Sequence, residues 1–508
     1  MLKRYTASID TPITNAYQLN LRTRGTGANM GASDVLETFS IYGRQSASSS
    51  ASPASQELSR ILIKFPVDKI SSDRTAGVVP DSGSVNFFLK LFNAEHSRTV
   101  PRDYKIVVYP ISQSWQEGTG LDMEGYKDLT KGNPGSNWLS ASNTSGWTSV
   151  GGDYLKSNAS LISEQTFESG LENLEVDISY LVESWLTGST TNHGVGIFLS
   201  SSFEAYFSNS AGASDSGSVI NNTAGARKSY YTKRFFARGT QYFFRRPVIE
   251  ARWDSARRDD RGEFYFSSSL APAADNLNTL YLYNFIRGRL TNIPSVGTGT
   301  ILVSLYSGSA DNTGPSGSKQ TLFNGQVNIT GGHVSTGIYS CSIGIQSSSI
   351  KTLYDVWHKG GVEFSTGSIS PMLFKTSPTT KEPVYYINIT NLANTYRSDE
   401  TARMNLYVRH KNWNPTIYNV ASVNPETTNI HSASYRVIRT LDNQEVISYG
   451  TGSKFHTGLS YDVSGNYFDF DMSLLEPGYE YKFKFSFYDS RMNTWKEQRQ
   501  EFNFRVEK

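Results

Sequence analysis

The sequence predicts an all-β protein made of serial β-sandwich domains. Aromatic residues make up 13% of the 508 residues, including 30 tyrosines and 27 phenylalanines, and these residue types favour strands. The 42 glycines, together with many serines and asparagines, favour turns. Short segments in which apolar residues recur at every second position are spread along the chain, as half-buried strands require.

The first predicted domain spans residues 1–207. Apolar residues alternate within Arg60–Phe65, which predicts a half-buried strand. Residues Ile178–Leu186 carry apolar side chains at the spacing of one helix face, which predicts the best helix of the chain. Residues 208–226 are rich in serine, glycine and asparagine, and this composition predicts a linker.

A central domain, residues 227–376, and a third domain, residues 377–508, are predicted to follow. Thr279–Phe285 is a clear strand of the central domain. In the third domain, a Leu-Glu-Pro-Gly turn leads into Tyr479-Glu480-Tyr481, the sequence form of a tyrosine corner, in which a buried phenol bonds back to upstream backbone. This motif resembles that of fibronectin type III domains, which implies an Ig/fibronectin-III-like sandwich.

An arginine/aromatic strip, defined as residues 227–261, is the first candidate site. Arginine and aromatic residues are enriched where proteins meet. The strip is equally compatible with two interpretations. It could be an interface for a neighbouring subunit, or an ordinary intrachain segment with pairs such as Arg252–Asp254. Nucleic acid is disfavoured as a partner, because the chain balances 48 basic against 46 acidic residues. The predicted interface residues are Tyr230, Tyr231, Phe235, Phe236, Arg245, Arg246, Arg252 and Trp253.

A carboxylate-rich loop that begins at Trp115 is the second candidate site. Its carboxylates could ligate Ca²⁺ or form the carboxyl pair of a glycosidase, and its tryptophans could stack on a sugar. The alternative is a structural loop closed by Asn137-Trp138, which we favour over a calcium site and more strongly over catalysis. The candidate residues are Trp115, Glu117, Asp122, Glu124, Asp128 and Trp138.

Other features of the sequence point away from enzymes, cofactors and membranes. One cysteine, Cys341, and seven histidines without paired metal-ligand spacing predict no disulfide framework and no metal centre. The first residues lack the apolar region of a secretory signal, and no stretch of about 18 apolar residues occurs. We therefore expect a protein without a membrane partner or a cofactor, synthesised in the cytoplasm.

The first domain resembles a known sandwich module. The matching residues lie in order along the chain: Asn29-Met30-Gly31, Ser59–Phe65, Ser114–Gly118, Asn137-Trp138, Leu174–Ile178, Trp185 and Asn192–Ile197. They are similar to DNRLRE-type β-sandwich modules, which are themselves similar to some carbohydrate-binding modules. The resemblance implies a jelly-roll-like sandwich at the N-terminus.

Nearly the whole chain is similar to a virion structural protein of contractile-tailed phages of marine cyanobacteria and related marine bacteria. The sequence segments that carry this resemblance are Ser229–Arg238, Arg246–Asp254, Asp275–Asn284, Lys411–Pro415 and Tyr461–Tyr467. It implies a non-enzymatic virion component of the tail, neck or collar, or secondly of the capsid surface. The expected partners are other virion proteins and copies of the chain itself. The alternative function is a glycan-binding adhesin that contacts the host surface.

Overall fold

The structure, a computed structural model, confirms the prediction of an all-β chain built from serial sandwiches. It describes residues 1–43, 55–95, 100–121, 125–126, 135–208, 217–308, 317–346, 349–373, 384–414, 417, 427–451 and 455–508. Two α-helices are complete within the described residues, α1 (Val67–Thr75) and α2 (Ser179–Leu186). In the described ranges, no helix is both long and apolar enough to span a bilayer.

The chain divides into two compact units, and the first comprises Leu2–Trp253. Its strands are β1 (Leu2–Thr6), β2 (Ile9–Thr14), β3 (Val35–Gly43), β4 (Ser55–Lys64), β5 (Asn86–Leu91), β6 (Tyr104–Pro110), β7 (Ser163–Phe167), β8 (Leu174–Asp177), β9 (Val195–Leu199), β10 (Tyr230–Phe236) and β11 (Val248–Arg252). They form a four-stranded sheet in the order β1-β11-β5-β8 and a seven-stranded sheet in the order β10-β3-β4-β9-β6-β7, in which β2 pairs with β4.

The core of the first unit follows from the alternation in its strands. Ile61 and Ile63 are fully buried, as their period-two spacing predicts. Helix α2 buries Leu181, Val182 and Trp185, the apolar face that the sequence predicts. Because both faces of β4 pack against other groups, its intervening Arg60 is buried as well and requires an internal partner.

The second unit comprises Met1 and Asp254–Lys508. Its strands are β12 (Asn278–Tyr283), β13 (Phe285–Ile286), β14 (Arg289–Leu290), β15 (Ile301–Ser307), β16 (Ile329–Ser335), β17 (Ile338–Ile343), β18 (Leu353–Lys359), β19 (Val362–Ile369), β20 (Tyr385–Ile389), β21 (Thr395–Arg397), β22 (Thr401–His410), β23 (Ala433–Arg439), β24 (Gln444–Ile447), β25 (Ser460–Asp462), β26 (Gly465–Asp471), β27 (Glu480–Asp489), β28 (Thr494–Glu497) and β29 (Phe502–Glu507). A six-stranded sheet, β12-β17-β16-β15-β18-β19, precedes a sandwich of β20-β22-β26-β25 against β21-β29-β27-β23-β24, and β13-β14 form a separate hairpin.

The predicted tyrosine corner is present in the C-terminal sandwich. Tyr481 lies at the start of β27 and is fully buried. Its hydroxyl donates to the backbone oxygen of Glu476 at 2.7 Å, across the turn that contains Gly478. The glycine has a positive φ of 97°, which an L side chain rarely adopts. The turn and the phenol together fix the entry to this strand.

The units divide differently from the predicted domains. The boundary lies between Trp253 and Asp254 rather than at residues 208–226, because β10 pairs with β3 and β11 lies between β1 and β5. The described part of the predicted linker, residues 217–226, packs on the first unit, where the amide of Gln56 bonds both backbone groups of Ile220. The predicted boundary at residue 377 lies outside the described residues.

Candidate interaction surface

The structure separates the arginine/aromatic strip into an internal and an exposed part. In β10, Phe235 is fully buried, whereas Tyr230 is 62% exposed. Tyr231 is half-buried and packs against Tyr104 and Phe203, with ring centroids 5.7 and 5.1 Å apart. Alternation along the strand therefore turns about half of the predicted interface side chains of β10 towards the interior.

The predicted interface role of Arg252 and Trp253 requires correction. Both side chains are buried, and the guanidinium of Arg252 is paired with Glu250 and, at 2.7 Å, with Glu175. Burial would raise the pKa of Glu250, but the charges of Arg4, Lys90 and Arg252 hold it below its ordinary value. Arg252 therefore neutralises a carboxylate inside the first unit, and the expected pairing with Asp254 is replaced by these contacts.

The exposed part of the strip is a turn between β10 and β11, residues 237–246, which we call the aromatic turn. Tyr242 is 54% exposed and Phe243 is 36% exposed. A 3₁₀ helix, Phe243–Arg245, shapes its second half, and the buried ring of Phe244 anchors it. Two large rings are thus presented to solvent by a segment whose neighbouring residues are fixed in the core.

Two arginines of the aromatic turn lie against aromatic rings. Arg246 donates from Nε to the backbone oxygen of Thr240 at 3.2 Å, and its guanidinium carbon lies 5.8 Å from the ring centroid of Phe243. Arg245 lies 5.9 Å from the ring centroid of Phe92. Both arginines are half-buried. Their positions on aromatic faces reduce the rotamer freedom that they would lose on binding a partner.

The aromatic turn is tied to the carboxylate-rich loop. Arg238 donates from Nη2 to both carboxylate oxygens of Glu117, at 2.9 and 3.0 Å. One of those oxygens also accepts the backbone N–H of Asp10 at 2.9 Å. The side-chain amide of Asn29 bonds the backbone oxygen of Glu117 at 2.7 Å. Glu117 is therefore a structural anchor for the turn.

Trp115 and Trp138 do not form a sugar-binding platform. Trp138 is fully buried and Trp115 is 8% exposed, and both belong to one apolar cluster. The indole N–H of Trp115 donates to the backbone oxygen of His193, and that of Trp138 donates to the backbone oxygen of Ser218, each at 2.8 Å. No group of three potential metal-ligating side chains occurs among the residues that the structure describes. The other candidates of the loop, Asp122, Glu124 and Asp128, lie outside the described residues.

Residues 254–263, which include the last part of the strip, form a connecting segment of the second unit. Its backbone follows β25, where Arg257 and Asp259 bond the backbone of Tyr461 at 2.9 and 3.0 Å. Arg261 then pairs with Asp355 of β18. The segment thus joins the six-stranded sheet to the C-terminal sandwich, which supports the intrachain interpretation for this part of the strip.

Asp10, which binds the backbone of the aromatic turn, is expected to make the stability of the first unit dependent on pH. Burial raises the pKa of Asp10 from 3.8 to about 7, and its carboxylate accepts the backbone N–H of Arg238 at 2.6 Å. The folded chain therefore keeps a proton that the unfolded chain releases at a lower pH. Stability is expected to fall by roughly 2–4 kcal/mol between about pH 4 and about pH 7, as the folded carboxyl becomes charged.

The variant Asp10→Asn isolates this effect, because the amide oxygen can still accept the N–H of Arg238. We expect its free energy of unfolding, measured by urea titration across this pH range, to lose the decrease and to exceed that of the wild type above about pH 7. Asp68→Asn, which changes an exposed carboxylate of α1, is the control. Identical pH profiles for wild type and Asp10→Asn would contradict the prediction.

Comparisons with known proteins assign no family to this chain. No family model and no curated protein matches it. The N-terminal Ig1-2 module of the Drosophila receptor protein tyrosine phosphatase DLAR is 8% identical, with 46% of this chain and 91% of that chain covered and a TM-score of 0.13. Trypsin-activated alpha-2-macroglobulin from Escherichia coli is 8% identical over 93% of this chain and 24% of that chain, with a TM-score of 0.15. The BSP domain of a biofilm associated protein is 9% identical over 96% and 68%, also with a TM-score of 0.15. Scores this low carry no argument.

Proposed function

We propose that this chain is a non-enzymatic structural component of a tailed-phage virion, placed in the tail, neck or collar, or secondly on the capsid surface. It docks on a neighbouring subunit through the aromatic turn. The observation that carries the docking proposal is the exposure of Tyr242 and Phe243 on a turn anchored by Phe244 and by the Arg238–Glu117 ion pair. The place in a virion rests on the sequence resemblance.

The composition of the aromatic turn suits a protein partner. Binding energy at interfaces concentrates in a few aromatic and arginine side chains, and removing a central one costs about 2 kcal/mol or more. Tyr242 and Phe243 lose little conformational entropy on binding, because few torsions are free and their backbone is already fixed. Arg245 and Arg246 can add charge-assisted hydrogen bonds to carboxylates of the partner.

Replacing Tyr242 and Phe243 together by alanine is expected to reduce incorporation of the chain into particles. A loss of about 2 kcal/mol corresponds to roughly 30-fold weaker docking. The measurement is the copy number of the chain in purified virions from cells in which the phage gene carries the variant. Both side chains are solvent-exposed, so folding should be unchanged and is checked by thermal unfolding.

Tyr180→Ala is the matched control for this experiment. Tyr180 is 60% exposed on α2, away from the strip in sequence, so its loss should leave the copy number unchanged. A normal copy number of the double variant would remove the aromatic turn as the docking surface. Normal incorporation with weaker adsorption to host cells would indicate that the turn binds the host surface and not a neighbouring subunit. That result would favour the adhesin alternative.

A further inference from the structure

A buried lysine of the first unit lies against an asparagine side chain. Lys233, on β10, is fully buried. Its Nζ donates to Oδ1 of Asn93 at 2.6 Å and to the backbone oxygen of Gly170 at 2.9 Å. The amine is therefore in direct hydrogen-bond contact with the carboxamide of Asn93, and such proximity favours a reaction between two groups.

Aromatic rings enclose this amine. The ring centroids of Phe167 and Phe235 lie 5.1 and 5.2 Å from Nζ, and Tyr104 stacks on Phe167. Burial among them lowers the pKa of Lys233 to about 8. A lysine desolvated in this way exists in part as the neutral amine near neutral pH, and the neutral amine is the nucleophilic form.

A carboxylate with an unused oxygen completes the cluster. Glu172 accepts the backbone N–H of Ser169 through Oε1 at 2.6 Å, whereas its buried Oε2 has no hydrogen-bond partner in the described part of the chain. The charge of Glu172 acts on both Lys233 and Tyr104, so it lies close to the amine. A buried carboxylate oxygen without a hydrogen bond is unfavourable for stability, and a role as proton acceptor would account for its presence.

We propose that Lys233 and Asn93 react to form an intramolecular isopeptide bond, with Glu172 as the proton carrier. The lone pair of the neutral Nζ attacks Cγ of Asn93, and a C–N bond forms. Glu172 takes a proton from Nζ and delivers it to Nδ2, whose bond to Cγ then breaks. The products are a secondary amide and one molecule of ammonia, so the step requires no oxidant and no external reactant.

The backbone around the two side chains already holds them side by side. Asn93 forms a bridge to Phe235, and the N–H of Ala94 bonds the backbone oxygen of Arg234 at 3.1 Å. The bond would therefore form without movement of the strands. It would close a loop of 140 residues, and such closure restricts the unfolded chain and holds the edge strand β10 in its sheet. The inference is independent of the proposed docking.

The decisive experiment is the intact mass of the full-length wild-type protein, denatured after incubation of the folded protein at about pH 8, near the pKa of the amine. We expect a mass lower by one ammonia. A proteolytic digest should contain one branched peptide that joins the segments around Asn93 and Lys233, with no tryptic cleavage after Lys233. A mass equal to that calculated from the sequence, without loss of ammonia, overturns the proposal. A mass lower by one ammonia without the branched peptide indicates a succinimide at an asparagine. That result overturns the proposal as well.

Variants assign the roles of the three side chains. Lys233→Met and Asn93→Ala are expected to keep the unreacted mass, and Lys105→Met, which changes an exposed lysine of β6, should still lose one ammonia. Glu172→Gln is expected to slow the reaction about 100-fold or more in the folded protein, as loss of a proton carrier does. An unchanged rate for Glu172→Gln would remove Glu172 from the mechanism. The wild-type mass decides the proposal whether or not every variant folds.

Discussion

Replacing Glu204 by alanine is expected to lower the free energy of unfolding of the first unit by about 3–5 kcal/mol. Glu204 and Arg60 are both nearly inaccessible, with side-chain exposures of 6% and 4%. Arg60 donates to Glu204 from Nε at 3.1 Å and from Nη2 at 2.9 Å to both oxygens. Without the carboxylate, a permanent positive charge would remain in an apolar core, because an arginine does not release its proton.

Urea unfolding of the full chain, monitored by tryptophan fluorescence, measures this effect. Trp138 is near the ion pair, since the guanidinium of Arg60 lies 5.8 Å from its ring centroid. Glu164→Ala is the matched control, because it removes an exposed partner of Lys105 and surface pairs contribute about 1 kcal/mol or less. The double variant Arg60→Met, Glu204→Leu should recover most of the loss. A loss below about 1 kcal/mol for Glu204→Ala would show that water reaches Arg60.

Asp355→Ala should produce a loss of similar size in the second unit, about 3–5 kcal/mol. Asp355 is 1% exposed and accepts hydrogen bonds from Nη2 of Arg261 at 2.8 Å and from Nε1 of Trp357 at 2.7 Å. Its removal leaves the buried indole N–H of Trp357 without this acceptor, and it leaves Nη2 of Arg261 with only the backbone oxygen of Tyr281 at 3.4 Å. Because Arg261 belongs to the connecting segment, the variant should also loosen residues 254–263.

Hydrogen exchange distinguishes this loosening from a global effect. Amides that bond the connecting segment to β25, such as that of Asp259, should exchange faster in Asp355→Ala than the fall in global stability explains. Asp399→Ala is the matched control, since Asp399 pairs with Arg397 on the surface, where both side chains are about 70% exposed. If the amides of the segment exchange only as fast as the change in global stability predicts, Asp355 does not anchor the segment.

The candidate interface shows what composition can and cannot locate. The strip was predicted from its density of arginines and rings, and the exposed Tyr230 and half-buried Tyr231 lie within it. Composition does not reveal which side chains face outwards. Arg252 lies in a strand that is covered on both faces, so it is internal, whereas Tyr242 and Phe243 were not singled out. The absence of strand alternation in residues 237–246 was the available signal for an exposed turn.

The carboxylate loop illustrates the same limit for chemistry. Glu117 was a possible calcium ligand as long as its neighbours were unknown. Its carboxylate is bonded to Arg238, which is 121 residues away in sequence. Lys233, Asn93 and Glu172 are also remote from one another along the chain. No local pattern marks such groups, because their meeting depends on the pairing of strands that are remote in sequence.

The sequence by itself determined the all-β class, the helix α2, the tyrosine corner and the half-buried strands, because each depends on periodicity or turn chemistry within a few residues. The tertiary structure decided the boundary at Trp253, the burial of Arg252 and the cluster around Lys233. Those features arise from long-range strand pairing, such as that of β10 with β3 and of β11 with β1 and β5. Pairing of this kind sets which face of a strand is covered, and hence whether a charged side chain binds a partner or stabilises the core.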